Sequence, residues 1–514
     1  MTLSLSEYFV KGDKWLYDYL FALKQTEFPN NFCLTVDYSC DVFEEAGSPG
    51  QALCKLQEYL AMLDFPNFFV RIATSYQDIA YDLEKAKQMF CAYEDTIAHE
   101  HSDTVFEKKL ATRDSFCVYP WIHLYVSPQG QVSPCCYFDE RFAVGNLASN
   151  SIQNLVNSSS MMDLRRKMLT GQRPKSCSTC WHKEDHGIVS ARQQANLHWK
   201  KYTAVADQTE SNGLYRDFRL RYLDFRFSNT CNLKCRMCSG KLSSSIAQED
   251  SVLYNNDKNV ELKLSQDQID NTLDFIKQNI HDLDQIYFAG GEPILIKEHY
   301  AILDLLIAQN RTDIPIYYNT NLTKLGYKHL SVLDYWPQFS NITVGASIDL
   351  MGTQAEYVRS GTKYAEIELN YDKIKSLVRF SITSIVHALN IFNLPRLQKH
   401  WIQNKNLSPQ TLSFDLLTTP SCMTLQVLPQ RYKQQATDCV TQHISWLKNY
   451  GSQELIDSWH NVLQYMLASD QSHLLGEFFR LNDAKDQFRN EVFEKVFPEY
   501  QDLRSYMTST DKSK

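Results

Sequence analysis

The chain has 514 residues and a formal net charge of −8, with 52 basic side chains against 60 acidic ones. That balance leaves no clear nucleic-acid footprint, and no apolar run is long enough to span a membrane. Hydrophobic residues make up 43% and charged residues 22%, the composition of a globular protein with room for three units. No secretory signal precedes Ser4–Tyr8. The 14 cysteines therefore read as metal or redox chemistry in a reducing compartment, the cytoplasm, rather than as a disulfide framework.

Residues 1–110 carry no motif. Strands are predicted at 32–38 and 68–74, and helices at 51–63 and 79–90. This order predicts a small βαβα-like domain of unknown role, with partner or substrate binding and plain structure both open.

Residues 111–200 hold the first cysteine constellation. Cys117 precedes Pro120-Trp121. Cys135 and Cys136 follow Gly130-Gln131-Val132-Ser133-Pro134, which reads as a hairpin turn and a strand. Cys177 and Cys180 form a C-x2-C after Pro174 and before Trp181. A helix is predicted over 151–169 from Ile152, Leu155, Met161, Leu164 and Met168. Four thiolates from a hairpin and a loop suffice for an iron–sulfur cluster or a closed zinc site. Adjacent cysteines on a strand point to opposite faces, so only one of Cys135 and Cys136 fits. Cys33, Cys40, Cys54, Cys91, Cys422 and Cys439 read as packing. The runs Arg165-Arg166-Lys167 and Lys200-Lys201 read as solvated helix faces.

From 215 to 425 strand-like and helix-like segments alternate. Strands are predicted at 222–228, 286–289, 314–321, 342–349, 380–387 and 413–419. A helix is predicted at 265–279. Six strands with helices between most of them predict a parallel sheet with right-handed crossovers. Directly after the first strand comes C-x3-C-x2-C, formed by Cys231, Cys235 and Cys238. Three thiolates hold three irons of a 4Fe–4S cluster and leave the fourth iron open to a small molecule. A zinc site or plain packing are the bland readings, but no fourth ligand lies near this loop.

Polar groups then recur where strands end, as ligand sites do in parallel α/β sheets. They are Gly290-Gly291-Glu292-Pro293, Asn319-Thr320-Asn321 and Ser347-Ile348-Asp349, with Arg359 and Asn390 further on. In this order and spacing the set resembles the radical S-adenosylmethionine (SAM) superfamily, whose fold is a partial (β/α)6 barrel. The resemblance implies SAM chelated at the open iron. It places Gly290, Gly291 and Glu292 at the cofactor's ammonium group, with Thr320 and Asn321 in the adjacent turn. Ser347 and Asp349 would meet the ribose and methionine carboxylate. Arg359, on a helix, would pair that carboxylate, and Asn390 would meet the adenine. Met237 stands before the third cysteine, where the superfamily often has an aromatic residue, and would pack near the adenine.

The upstream cysteines resemble the SPASM/twitch module, which carries an auxiliary 4Fe–4S cluster. Here it is N-terminal to the barrel, as in a subgroup with twitch domains. Gly145-Asn146-Leu147, the run Glu184, Gly187, Ser190 and Arg192, and the stretch 481–503 also fit that subgroup. The resemblance implies Cys117, Cys135, Cys177 and Cys180 as auxiliary ligands. Helices predicted at 429–449, 454–468 and 478–496, within a C-terminal helical region over 426–505, are expected to cover the barrel opening. Residues 506–514 form a polar tail expected to be disordered.

The implied activity is reductive cleavage of SAM to a 5′-deoxyadenosyl radical, which abstracts a hydrogen atom from a peptide or protein side chain. The auxiliary cluster would assist electron transfer. An external donor of flavodoxin or ferredoxin type is implied. The alternatives are a dehydrogenase of a small sugar-like alcohol and a non-catalytic iron–sulfur sensing protein. Alternation along the strands predicts that Asp224 and Arg226 face the lumen as a paired network. It also turns His387 and Asp415 inward, as candidates for substrate contact or proton transfer.

Overall fold

In a computed structural model of the chain, the described residues are four strands within 2–81 and then 115–185, 189–255 and 260–507. The chain divides into two compact units, Met1–Thr112 and Arg113–Lys514.

In the first unit β1 (Thr2–Ser4), β2 (Phe32–Asp37), β3 (Phe68–Thr74) and β4 (Gln77–Tyr81) form one sheet in that order. β1, β2 and β3 are parallel, and β4 returns antiparallel. The strands predicted at 32–38 and 68–74 are present. The helix predicted from 79 is corrected at its start, because Ile79 pairs with Ile72 as part of β4. A short apolar run does not distinguish helix from strand, and the neighbouring strand decides. The rest of that stretch, the helix at 51–63 and the surroundings of Cys33, Cys40, Cys54 and Cys91 lie outside the described residues.

The second unit is built on a sheet of nine strands. In chain order these are β5 (His123–Val126), β6 (Gln131–Ser133), β7 (Gly145–Asn146) and β8 (Tyr222–Phe225). After a two-residue strand β9 (Lys234–Cys235), outside this sheet, come β10 (Gln285–Phe288) and β11 (Ile316–Thr320). A small hairpin, β12 (Gly326–Tyr327) and β13 (Leu330–Ser331), precedes β14 (Ile342–Ala346). Then follow β15 (Arg359–Ser360), paired with β9, β16 (Arg379–Val386) and β17 (Leu412–Leu416). The order across the sheet is β17-β16-β14-β11-β10-β8-β5-β6-β7.

The six parallel strands from β8 to β17 are those expected of the partial barrel. The addition is β5, which pairs parallel with β8, Leu124 opposite Leu223. The antiparallel hairpin β5–β6–β7 therefore extends the barrel sheet. Nothing local in 111–200 signals this pairing, because its partner lies about a hundred residues away.

Local chemistry sets the helices. Ser265 and Gln268 form a reciprocal cap on the helix Gln266–Asn279, which buries Ile269, Thr272, Phe275 and Ile276. A cap of this kind stabilises a helix by about 1 kcal/mol. The single helix predicted over 151–169 is two, Ile152–Leu155 and Ser159–Leu169, each capped by its own serine, Ser151 and Ser158. Likewise 478–496 is split where Asn490 adopts φ 56°, a left-handed cap that ends the helix Leu475–Arg489.

Two further expectations are corrected. Arg165 is not on a solvated face. It is fully buried and its guanidinium donates to the carbonyls of Pro120 and Val156 and to Asn157 Oδ1. The helix Gln453–Leu467 does not cover the barrel opening. Its apolar face lies on the outer side of β17, with Trp459 4.9 Å from the Phe414 ring.

Candidate active site

Asn229 anchors the cysteine loop. It is buried after β8, donates to the carbonyls of Gly240 (2.8 Å) and Val260 (3.1 Å), and accepts from Leu262 N (2.9 Å). One amide thus ties the end of β8 to both segments that return past it. Ser243 and Ser245 donate to the carbonyls of Leu233 (2.8 Å) and Cys231 (2.6 Å). The β9–β15 pairing sets Cys235 opposite Arg359.

The loop brings Cys231, Cys235 and Cys238 within electrostatic reach of one another. Burial, then the charge of Cys235, pushes the Cys231 and Cys238 thiols up to about 12. Burial also raises Cys235, while Arg359 pulls it down. Thiols so placed ionise readily only around a cationic group, and a cluster of irons supplies one. Among the described residues no three His, Cys, Asp or Glu side chains are set to hold a single metal ion. A cubane places each ligand on a different iron, so it asks for spread thiols rather than one convergent point.

The strand ends close around this loop. Gly291 packs against the loop itself, since a Cβ there would lie 2.2 Å from Thr230 O. Its glycine requirement comes from the backbone of the cysteine loop. Gly290, at φ +117°, abuts the Arg226 side chain. Glu292 is buried and accepts from Thr320 Oγ1 (2.7 Å), Asn321 N (2.8 Å) and Ile294 N (3.3 Å). Burial raises its carboxyl to about 7 against those donors. Its oxygens hold the Thr320-Asn321 turn, which leaves backbone carbonyls as the freer acceptors for an ammonium group. Asn321 Nδ2 reaches Asn232 Oδ1 at 3.0 Å and lies 4.0 Å from Cys231 Sγ.

Asp349 is buried, accepts from Ile385 N (2.8 Å) and pairs with Arg359 Nε (2.7 Å). Arg359 Nη1 lies 3.8 Å from Cys235 Sγ. Arg359 does not ride on a helix as expected. The helix Gly352–Val358 ends just before it, and Arg359 enters β15. Ser347 is half-buried, and its amide donates to the Thr320 carbonyl. Met237 is also half-buried on the loop. Asn390 engages backbone with both ends of its amide: it accepts from His387 N (2.9 Å) and donates to Ile385 O (2.8 Å). It pins the turn after β16, with one N–H and one lone pair to spare.

The C-terminal helix supplies a part of the site that sequence reasoning missed. Arg236, between two of the cysteines, is fully buried. It pairs with Asp486 and with Glu491 (2.5 Å), donates to Asn482 Oδ1 (3.1 Å), and lies 3.5 Å from the centroid of the Tyr357 ring. Arg489 donates to Lys234 O (2.9 Å) and pairs with Glu249 (2.5 Å). The helix Leu475–Arg489 therefore holds the cysteine loop from behind. A charged residue inside a ligand motif is the only sequence signal that was available for this.

The second thiol set lines a small cavity together with Tyr119 and Phe138. Cys117 enters from the turn before the helix Tyr119–Ile122, Cys135 from the end of β6, and Cys177 and Cys180 from the start of the helix Ser178–Asp185. Cys135 is raised by burial and then by Cys136, Cys117, Cys177 and Cys180. Cys136 does not line the cavity; its thiol faces Asp224 and Arg226. Arg192 also lines the cavity, held by Glu184 (2.7 Å) and the Phe116 carbonyl (2.7 Å). Gly187 lies outside the described residues. Four thiols gathered around one pocket are the donor set that a cluster needs.

Asp224 and Arg226 form the expected pair, Nε to Oδ1 at 3.1 Å, above the Tyr125 ring. On the same concave face Asn319 donates to Tyr287 OH (2.6 Å), and Ser413 to Thr383 Oγ1 (3.4 Å). Alternation from Ser413 puts Asp415 there too. Its side chain is 57% exposed and 3.6 Å from Lys183 Nζ. His387, expected to face the lumen for substrate contact, follows the end of β16 at Val386 and exposes no surface to a substrate. Its ring is fully buried and Nδ1 accepts from Leu389 N (3.1 Å). Burial lowers it to about 4, with Asp349 and Arg359 nearby.

Residues 225–385 match the radical SAM superfamily, and residues 117–181 match the iron–sulfur cluster-binding SPASM domain. The chain carries a radical SAM domain and a SPASM domain. Its α/β fold and the two kinds of 4Fe–4S site, one with SAM, go with these domains. Among curated proteins it is 29% identical over 110 residues to the antilisterial bacteriocin subtilosin biosynthesis protein AlbA of Bacillus subtilis (strain 168). That match covers 20% of this chain and 23% of AlbA. Among solved structures it is similar to native anSMEcpe with bound AdoMet and Kp18Cys peptide, at 18% identity and a TM-score of 0.28, over 37% of this chain and 49% of that one. The same protein with AdoMet alone gives 18% and 0.28, over 37% and 50%. The chain thus spans under a quarter of the curated relative and about half of the solved chains. Among the described residues no helix is long and apolar enough to cross a membrane.

Proposed function

We propose that this radical SAM protein abstracts hydrogen from a peptide or protein side chain, with its second thiol set holding an auxiliary cluster that exchanges an electron with the substrate. One observation carries the reading. A three-thiol loop without a fourth ligand faces the strand ends, and a four-thiol cavity stands in a module joined to the same sheet. The open set suits a cluster that binds a ligand, and the full set suits one that moves electrons. The stretch shared with a bacteriocin biosynthesis protein supports a peptide as substrate.

When bound, the cluster and SAM supply a 5′-deoxyadenosyl radical for hydrogen abstraction. The chain's own residues hold and screen the site. Arg359 sets a fixed positive charge beside Cys235 and is oriented by Asp349. Glu292 locks the Thr320-Asn321 turn over Cys231. Asp224 and Arg226 neutralise each other on the concave wall, so this pair is polar without adding net charge. Asp415 is the one acid in that group with an exposed carboxylate, able to take a proton from a substrate or orient its chain.

The test is anaerobic reconstitution followed by dithionite and SAM. Formation of 5′-deoxyadenosine supports the reading, and hydrogen loss or a cross-link in a co-expressed peptide identifies the substrate class. A fully loaded protein that never cleaves SAM would sink it.

A further inference from the structure

The strongest charged feature outside the thiol sites is an open groove of about 500 Å³ between the hairpin β12–β13 and the helix Tyr364–Ile374. Its walls carry Lys324, Lys328 and Lys373 against one acid, Glu366. Other exposed lysines of this region are paired: Lys363 with Glu356, Lys375 with Asp372, and Lys405 with Glu368. Among the described residues, the three in the groove have no carboxylate partner. A concentration of free positive charge stands out on a chain of net charge −8.

The hairpin tip adds a second observation. Gly326 pairs with Ser331 and Tyr327 with Leu330, which leaves Lys328-His329 as a two-residue turn. Lys328 has φ 54°. Such turns ordinarily put Asn, Asp or Gly at positive φ. A lysine there accepts backbone strain to present its ammonium group at the tip.

The groove also leads to the cluster loop. Its inner wall is Thr323, whose hydroxyl accepts from Asn232 Nδ2 (2.8 Å) and donates to Asn321 Oδ1 (2.6 Å). Asn321 Nδ2 in turn lies 4.0 Å from Cys231 Sγ. Two side chains, Thr323 and Asn321, separate the basic surface from Cys231. The groove lies outside the barrel, because the helix Tyr364–Ile374 packs on the convex side, with Tyr371 4.6 Å from Phe380. A substrate carbon must enter the lumen, whereas an electron only has to arrive close by.

We infer that this groove docks the acidic surface of a protein that delivers single electrons to the group held by Cys231, Cys235 and Cys238. The inference rests on the proposed function, which requires such a reductant. One electron leaves the donor's reduced cofactor and enters the cluster, and no bond is made or broken in that step. The lysines steer and orient the encounter through complementary charge.

The experiment uses the reconstituted full chain, with a reduced acidic flavodoxin as probe and dithionite as the control reductant. Bleaching of the cluster absorbance is followed by stopped flow. The wild type should be reduced by flavodoxin at a rate that falls steeply between ~50 and ~300 mM salt. The triple variant Lys324→Glu, Lys328→Glu, Lys373→Glu should be slowed ~10-fold or more with flavodoxin at low salt. Its iron content and its dithionite rate should match the wild type, which also shows that the variant has folded. If the triple variant is instead unstable, single Lys→Gln changes at 324 and 373 should each give part of the loss. Wild-type flavodoxin rates in these variants would overturn the inference. So would unchanged reduction with weakened binding of an acidic peptide substrate, which would make the groove a substrate surface. If the wild type binds no SAM-cleaving cluster even with dithionite, the functional reading itself fails, and that result differs from a defect confined to flavodoxin.

Discussion

Lys183 Nζ lies 3.6 Å from Asp415 Oδ1. Lys183 belongs to the helix Ser178–Asp185 of the thiol-rich module, and Asp415 to β17. The module's strands join the sheet beside β8, at the far end from β17. The pair therefore brings together the two ends of a sheet that does not close through backbone hydrogen bonds. Tyr137 of the same module is close enough to feel the charges of both Asp415 and Tyr287. The thiol module stands across the open side of the barrel.

Asp415→Ala is expected to lower substrate turnover while both clusters and SAM binding survive. An exposed ion pair of this length contributes roughly 0–1 kcal/mol, so stability should barely move. Turnover equal to wild type would remove Asp415 from the substrate face.

Anaerobically loaded protein should carry about eight irons, four for each cubane. Replacing Cys231, Cys235 and Cys238 together by Ala should remove about half and abolish 5′-deoxyadenosine formation. Cleavage that persists in the triple variant would refute the assignment of this loop.

Cys135 and Cys136 are adjacent but should behave differently. Cys135→Ser should strip the auxiliary cluster, because its thiol lines the cavity. Cys136→Ser should leave the iron content intact and act, if at all, on substrate. Mössbauer quantitation of each variant decides this, and equal iron loss in both would contradict it.

Gly291→Val should cost the SAM-binding cluster and not merely SAM affinity. The new Cβ would meet Thr230 O at 2.2 Å and displace the cysteine loop. Iron analysis should show loss from the first site with the auxiliary site retained. Weak SAM binding to a fully loaded first site would place the constraint elsewhere.

Acid should destabilise the fold through its buried histidines. Burial lowers His299 and His443 from about 6.5 to about 3. With the folded value depressed, their contribution is complete above about 6.5 and is lost as pH falls toward 3. Unfolding near pH 5 should therefore take up protons, at a slope of about 1.4 kcal/mol per pH unit for each such histidine. His299→Phe should reduce the uptake by close to one proton. No change in proton uptake would mean that His299 titrates normally in the folded chain.

Much of the site was legible because its chemistry is local. The spacing of Cys231, Cys235 and Cys238, and the polar residues at strand ends, survive as short patterns. The six barrel strands were legible too, since each is an apolar run between turn signals. What failed depended on partners that a short motif does not show. Arg165 read as a surface charge, and Arg236 went unread, until their carbonyl and carboxylate partners come into view. Glu292 and Asn390 were assigned to the cofactor, and the structure adds that they also brace the turns beside them. His387 was placed by alternation, which holds only as far as the strand runs, and β16 stops one residue short.

The pairing of β5 with β8 has a practical side for anyone dissecting the molecule. A fragment beginning near residue 215 would keep the SAM motif but leave β8 as a bare edge, its parallel partner gone. Unpaired apolar edges recruit other chains. Such a fragment should aggregate on expression, whereas one beginning near residue 113, where the second compact unit starts, should stay in solution. Swapping thiol modules between relatives meets the same obstacle, since the graft must carry a strand that fits its new neighbour.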